Sequence, residues 1–289
     1  MRDTISIAFL GLGAMGTRMA SRLVSDDIDL RVWSRSGVPQ GSPELGSIFA
    51  PTVAAAVKDV DLVIVMVTDD DASRAVWLDA GALRGMRSGA VAVECSTLSP
   101  QWVSELARRA REAGVDFVDA PVVGSRPQAH AGGLIFLAGG DPSIVDGLRP
   151  TLLRMGPAVH HVGASPAGTR AKLVANALFA VQVAALGELV GVARRMGMDV
   201  AGLVQVLGEL SVMSPAAKGA ATGMLEGGFA PMFPLSLGAK DLRYAMAQAD
   251  AVGSSVPMTC AASEVFQRGR SQGFSDENLT AIAKLYVAE

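Results

Sequence analysis

Three glycines and a lysine–carboxamide pair have the spacing to do chemistry in this chain. Gly11-Leu12-Gly13-Ala14-Met15-Gly16 follows the apolar run Ile5 to Leu10 and opens a helix-like stretch from Thr17 to Val24. A strand, a G-x-G-x-x-G turn and a helix together cradle a dinucleotide pyrophosphate. The first glycine permits the tight turn, the second lets the backbone approach the phosphates, and the third lets helix and strand pack closely. The helix start adds unpaired N–H groups and a partial positive charge. Further along, Lys172 and Asn176 stand four residues apart in an apolar stretch, on one helix face. An ammonium beside a carboxamide is costly there unless both are used. Lysine can move a proton to or from a reacting hydroxyl. On spacing alone, Lys172 reads more readily as a lysine snorkelling to the surface. Lys240-Asp241 likewise reads as an exposed ion-paired helix turn.

The second strand ends Val32-Trp33-Ser34-Arg35-Ser36. An NAD site usually carries an acid about 20 residues past the glycine motif, to hold the ribose 2′-hydroxyl. Here Arg35 stands between two hydroxyls. A guanidinium clamps a 2′-phosphate, and Ser34 and Ser36 can donate to it, so NADP(H) is favoured over NAD(H). The bland alternative is a solvated loop charge. Val67 and Thr68, at the end of what counts as a fourth strand, and Ser96-Thr97, after a fifth, should face the nicotinamide ribose and ring. Ligands of open α/β sheets cross the carboxyl ends of the strands. The competing readings are a turn residue for Thr68 and a cap of the Pro100 helix for Thr97. Only His130, His160 and His161 offer imidazole for acid–base work. His160 and His161 lie in a strand-like run, and His130 reads as a solvated residue of a Gly/Pro-rich loop.

The elements that must position these groups divide the chain in two. Strand candidates are 5–10, 30–33, 62–67, 91–94, 117–119, 134–138 and 160–162, with helices such as 100–113 between them. This β/α alternation implies a doubly wound, mostly parallel sheet. After Gly163 strand signals stop. Helices follow at about 167–196, 200–210, 214–225, 234–252 and 257–272, then a short one after Ser275, with Asp199, Ser214 and Ser275 as N-caps. The fold class is therefore α/β: a Rossmann-type dinucleotide-binding domain over 1–163, then an all-α domain over 164–289 joined by a long interdomain helix.

Composition limits the partners. The 289 residues are 50% hydrophobic and 18% charged, with a net charge of −3. Mean hydropathy is +0.35. Such apolarity implies extensive burial, including a subunit interface. No basic block suggests nucleic acid, and no metal site is expected. Cys95 and Cys260 form no framework, which fits a reducing, cytoplasmic setting. The first apolar run turns straight into the glycine motif, unlike a signal peptide. Asn176, Gln182 and Glu188 interrupt the 172–193 stretch, which reads as a buried helix rather than a membrane span.

In order along nearly the whole chain, GLGAMGTRMA (11–20), STLSP (96–100), DAPVVGS (119–125), GTRAKLVAN (168–176) and KDL (240–242) resemble the β-hydroxyacid dehydrogenase family. Its members include 3-hydroxyisobutyrate dehydrogenase, tartronate semialdehyde reductase and glyoxylate/succinic semialdehyde reductases. The resemblance implies that Lys172 is the catalytic acid/base and that Asn176 positions substrate or lysine. It implies that Val122, Val123, Gly124 and Ser125 receive the substrate carboxylate, and that Thr97 and Lys240 contact cofactor and active site. The cleft would lie between the domains of a homodimer or homotetramer. The family's loop usually reads D-A-P-V-S-G-G. Here Val123 replaces the serine and Ser125 the second glycine, with Arg126-Pro127 following. Either Ser125 or Arg126 compensates for the lost hydroxyl, or the substrate is larger or less polar. The expected activity is hydride transfer between NADP(H) and a small β-hydroxyacid or its semialdehyde or keto form. An imine reductase and a non-catalytic NADP-binding scaffold are the alternatives.

Overall fold

The computed structural model describes residues 4–286. It falls into two compact units, the first ending at Lys172 and the second beginning at Leu173. In the first unit, strands β1 (Ile5–Leu10), β2 (Ile28–Trp33), β3 (Leu62–Val65), β4 (Val91–Glu94), β5 (Asp116–Asp119), β6 (Val122–Val123), β7 (Ile135–Gly139) and β8 (Ala158–Gly163) form one sheet. Its order is β2-β1-β3-β4-β5-β7-β6, with β8 paired to β7. The strands from β2 across to β5 run parallel. β7 is antiparallel to β5 and β6 and parallel to β8.

Burial explains the pattern. β3 reads Leu-Val-Ile-Val and is buried at every position, as a central strand covered on both faces must be. Successive side chains alternate between the faces. Ile7, Phe9, Ile64 and Val93 enter one core, while Ala8, Leu10, Val65 and Ala92 enter the other with Trp77 and Trp102. By the same alternation Glu94 points toward those two tryptophans.

Several expectations need correction. Leu62–Val65 and Val91–Glu94 are the third and fourth strands in chain order, not the fourth and fifth. β3 stops at Val65 rather than Val67, because the Val67 N–H turns away to Ser96 Oγ at 2.8 Å. His130 sits in the helix Arg126–Ala131, not in a loop. Ser275 caps no helix. Its carbonyl accepts from the Ser236 N–H, and the last element is a 3-10 helix over Leu279–Tyr286.

The second unit is built of helices, Val200–Leu207, Pro215–Glu226, Leu235–Ala251 and Pro257–Ser271 among them, with one isolated bridge between Pro234 and Asn278. Asp199 accepts from the N–H groups of Ala201 and Gly202, and Ser214 from that of Ala217, as N-caps do. Ala180, Val183, Leu235, Phe266 and Ile282 share its core. The long helix Ala167–Arg195 meets the length and apolarity of a membrane span, which a core helix also meets, and 39% of its most apolar window is buried. It is not buried all round, as its apolarity suggested. Val174 is 70% exposed and Leu178 63%, and Leu189 and Val192 continue that stripe at helical spacing.

Candidate active site

The glycine turn is built as a cradle. Gly11 has φ of 103°, and a Cβ there would strike the Met66 carbonyl oxygen. A Cβ at Gly16 would strike the Gly11 carbonyl oxygen. Gly13 has nothing within 4 Å of its Cβ position, so its backbone faces open space. The Gly11 N–H donates to the Trp33 carbonyl at 2.8 Å, and the Met66 N–H to that of Leu10 at 3.0 Å. Leu12 is buried and Met15 packs on the core, so both offer a ligand backbone rather than side chain, while Ala14 is exposed. Two crowded glycines and one open one fit a dinucleotide pyrophosphate.

After β2, Arg35 and Ser36 are exposed and Ser34 is half-buried. Arg35 makes no ion pair among the described residues. Its guanidinium is available to an incoming phosphate.

The turns after β3 and β4 are joined. Ser96 is fully buried and accepts the Val67 N–H, with exposed Thr68 next in the chain. Thr97 is half-buried. The cap of the Pro100–Glu112 helix is Ser99, whose Oγ accepts the Trp102 N–H at 3.2 Å, so Thr97 is not that cap. Below Ser96 lies Glu94, which sequence reasoning missed. Burial pushes its carboxyl up, against hydrogen bonds from Ser96, Ser73 and Trp77. Burial and the neighbouring Glu94 also push the Cys95 thiol well up, which makes it a poor nucleophile.

The stretch expected to receive the substrate carboxylate is partly a strand. Val122 and Val123 pair with Phe136 and Ile135. Val122 lies in the core, with its side chain packed away from solvent. Val123 is half-buried. Gly124, at φ of 126°, is exposed, and a Cβ there would meet Leu134 at 2.9 Å. Ser125 forms a capping box with Gln128, whose Oε1 accepts the Ser125 N–H at 2.9 Å.

Lys172 is buried, with 8% exposure, rather than snorkelling. Its helix is fastened at the start. The Thr169 N–H donates to Asp119 Oδ2 at 2.7 Å, so the acid ending β5 holds the first turn. Gly139 and Gly168 let the backbone close around that carboxylate. A Cβ at Gly139 would lie 2.6 Å from Asp119 Oδ1, and one at Gly168 2.9 Å from Oδ2. Burial pushes the Asp119 carboxyl up to about 6, against the hydrogen bond from the Thr169 N–H.

In the second unit Asn176 Nδ2 donates to Asp241 Oδ2 at 2.6 Å. Lys240 Nζ lies 3.3 Å from Asp241 Oδ1, with side-chain exposures of 11% and 4%. The pair is thus a buried ion pair on the Leu235–Ala251 helix, not an exposed turn. Lys240 also stands over the Tyr244 ring. Asp241 joins two expected site residues, and nothing but its place beside Lys240 marked it in the sequence. The structure thus brings together the glycine turn, Val67 and Ser96 in one unit and Asn176 with Lys240 in the other. Lys172 and Asn176 share one helix that crosses from the first unit to the second.

Residues 6–163 match the sequence model described as the NAD binding domain of 6-phosphogluconate dehydrogenase. Residues 166–286 match that described as NAD-binding of NADP-dependent 3-hydroxyisobutyrate dehydrogenase. The chain is 30% identical over 288 residues to a glyoxylate/succinic semialdehyde reductase 2 of Arabidopsis thaliana, covering 99% of this chain and 80% of that protein. It is 29% identical to a 2-(hydroxymethyl)glutarate dehydrogenase of Eubacterium barkeri, covering 99% and 96%. Among solved structures, a 3-hydroxyisobutyrate dehydrogenase of Mycobacterium tuberculosis with L-serine superposes with a TM-score of 0.89 at 28% identity, covering 99% of this chain and all of that one.

Proposed function

The chain belongs to the β-hydroxyacid dehydrogenase family, whose NAD(P)-dependent members act on CH–OH groups, and we propose that it reversibly reduces a small semialdehyde or keto acid with NADPH. The burial of Lys172 one turn beyond the Asp119-held start of its helix carries this reading. A lysine withdrawn from water has a use in proton transfer and little in solubility.

In reduction Lys172 Nζ–H donates to the carbonyl oxygen as it gains electrons, and in oxidation Nζ accepts the hydroxyl proton. A nicotinamide cofactor, when bound, would supply the hydride chemistry. Gly11, Gly13 and Gly16 would hold its pyrophosphate, and Arg35 with Ser34 and Ser36 a 2′-phosphate. Asn176, held by Asp241, orients the substrate oxygen or the lysine, and Lys240 adds positive charge. Val123 presents an apolar surface to the substrate and Ser125 is engaged in its cap, which favours a substrate with a less polar chain. The exposed stripe from Val174 to Val192 supports assembly as a homodimer or homotetramer.

The test is NADPH oxidation against glyoxylate, succinic, tartronate and methylmalonate semialdehydes and a cyclic imine, each repeated with NADH. Lys172→Ala should lower kcat/KM about a hundredfold to ten-thousandfold with cofactor affinity kept. Wild-type turnover in that variant would refute the mechanism, and preference for the imine would move the chain to the imine reductases.

A further inference from the structure

Several donors converge on one carboxylate beneath the turns of β3 and β4. Glu94 ends β4 and has no solvent exposure. Oε2 accepts from Ser73 Oγ at 2.7 Å and from Trp77 Nε1 at 2.9 Å, and Oε1 accepts the Ser96 N–H at 3.0 Å. Trp102 Nε1 completes the outer side by donating to Ser73 Oγ at 2.9 Å. No ion pair offsets the carboxylate among the described residues. An apolar side chain at this position would leave the Ser73 hydroxyl, the Trp77 N–H and the Ser96 N–H without their acceptor, at about 1–3 kcal/mol each. Stability thus calls for an acceptor here and leaves room for a further role.

Its connections supply one. Ser96, gripped by Glu94 through its N–H, receives the Val67 N–H on its own hydroxyl at 2.8 Å. Val67 follows Met66, whose carbonyl oxygen is the atom that forces glycine at position 11. One carboxylate thus fixes the turn after β4 directly, the turn after β3 through Ser96, and the seat of the glycine turn through Met66. We infer that Glu94 is a positioning residue for the nicotinamide cofactor, holding the Val67–Thr68 and Ser96–Thr97 turns in the arrangement the cofactor binds. This rests on the cofactor reading above.

The experiment is calorimetric titration with NADPH and with NADP+, alongside thermal unfolding and steady-state kinetics. Glu94→Gln keeps the shape but turns an amide donor toward a hydroxyl or N–H donor. Ser96→Ala removes only the relay to Val67. Trp102→Phe loosens the outer end alone and serves as a packing control. Kd should rise about tenfold in Ser96→Ala, the equivalent of one buried hydrogen bond unmade, and further in Glu94→Gln. KM for NADPH should rise with it while kcat at saturating cofactor holds, and Trp102→Phe should keep wild-type Kd. Unchanged Kd in both Glu94→Gln and Ser96→Ala, with only the melting temperature lowered, overturns the inference. Equal weakening in Trp102→Phe overturns it as well, since general loosening then explains the loss. A wild-type chain that binds neither NADPH nor NADH refutes the cofactor reading itself, and this inference with it.

Discussion

Asp119 makes the first unit less stable as pH rises, and the size of the effect follows from its burial. The carboxyl is raised from an ordinary 3.8 to about 6 because burial disfavours its charged form. A raised folded-state pKa contributes stability that is complete below the unfolded value and lost as pH climbs through the folded one. The shift of about two units corresponds to about 3 kcal/mol in full, of which roughly half is lost between about pH 5 and about pH 8. Asp119→Asn removes the charge, and its amide oxygen can still accept the Thr169 N–H. The variant's stability minus that of the wild type should therefore grow by about 1.5 kcal/mol across that interval. Taking the difference cancels every other titrating group. Trp33, Trp77 and Trp102 are all the tryptophans of the chain and all lie in the first unit, so urea unfolding followed by tryptophan fluorescence reports on that unit. A difference that is flat with pH would refute the reasoning. So would one that falls, which would mean the carboxylate is an ionised cap worth more to the helix than its burial costs.

Cofactor choice and the buried pair in the second unit are open to equally direct tests. Arg35→Asp should lower the NADPH-over-NADH ratio of kcat/KM by about a hundredfold, since it removes a charge-assisted contact to the 2′-phosphate and restores an acceptor for the ribose hydroxyl. An unchanged ratio in steady-state assays would show that Arg35 is only a solvated charge. Asp241→Ala takes away the carboxylate that holds the Asn176 amide and pairs with Lys240 and should cost about 3–5 kcal/mol, measured by denaturation followed by circular dichroism. A cost under about 1 kcal/mol would mean that water reaches the pair.

The elements were legible where one physical rule governed them. β1 and β4 end where apolar runs meet glycine or a charge, and Asp199 and Ser214 cap their helices as their types require. The glycine turn was equally legible, because Gly11 and Gly16 answer to crowding by named atoms. Buried charge was not. Lys172, Lys240 and Asp241 look like surface residues one at a time, and only three-dimensional packing buries Lys172 and Asp241 and leaves the Lys240 side chain little exposed. Glu94 left a faint signal, an acid closing the otherwise apolar strand Val-Ala-Val-Glu, yet its partners Ser73 and Trp77 come from about 20 residues upstream. β6 escaped notice because two residues carry no periodicity, and its pairing to β7 exists only in the sheet.

The burial of Cys95 in the core across the sheet from the Glu94 network has a practical side. With that thiol buried and its ionisation suppressed, thiol reagents are left with Cys260, half-buried on the Pro257–Ser271 helix. The unmodified chain therefore carries a single labelling handle, placed in the second unit, while its three tryptophans are confined to the first. One acceptor dye on Cys260 would turn the protein into a two-colour ruler without any mutation, able to follow the distance between its units in solution as cofactor is added.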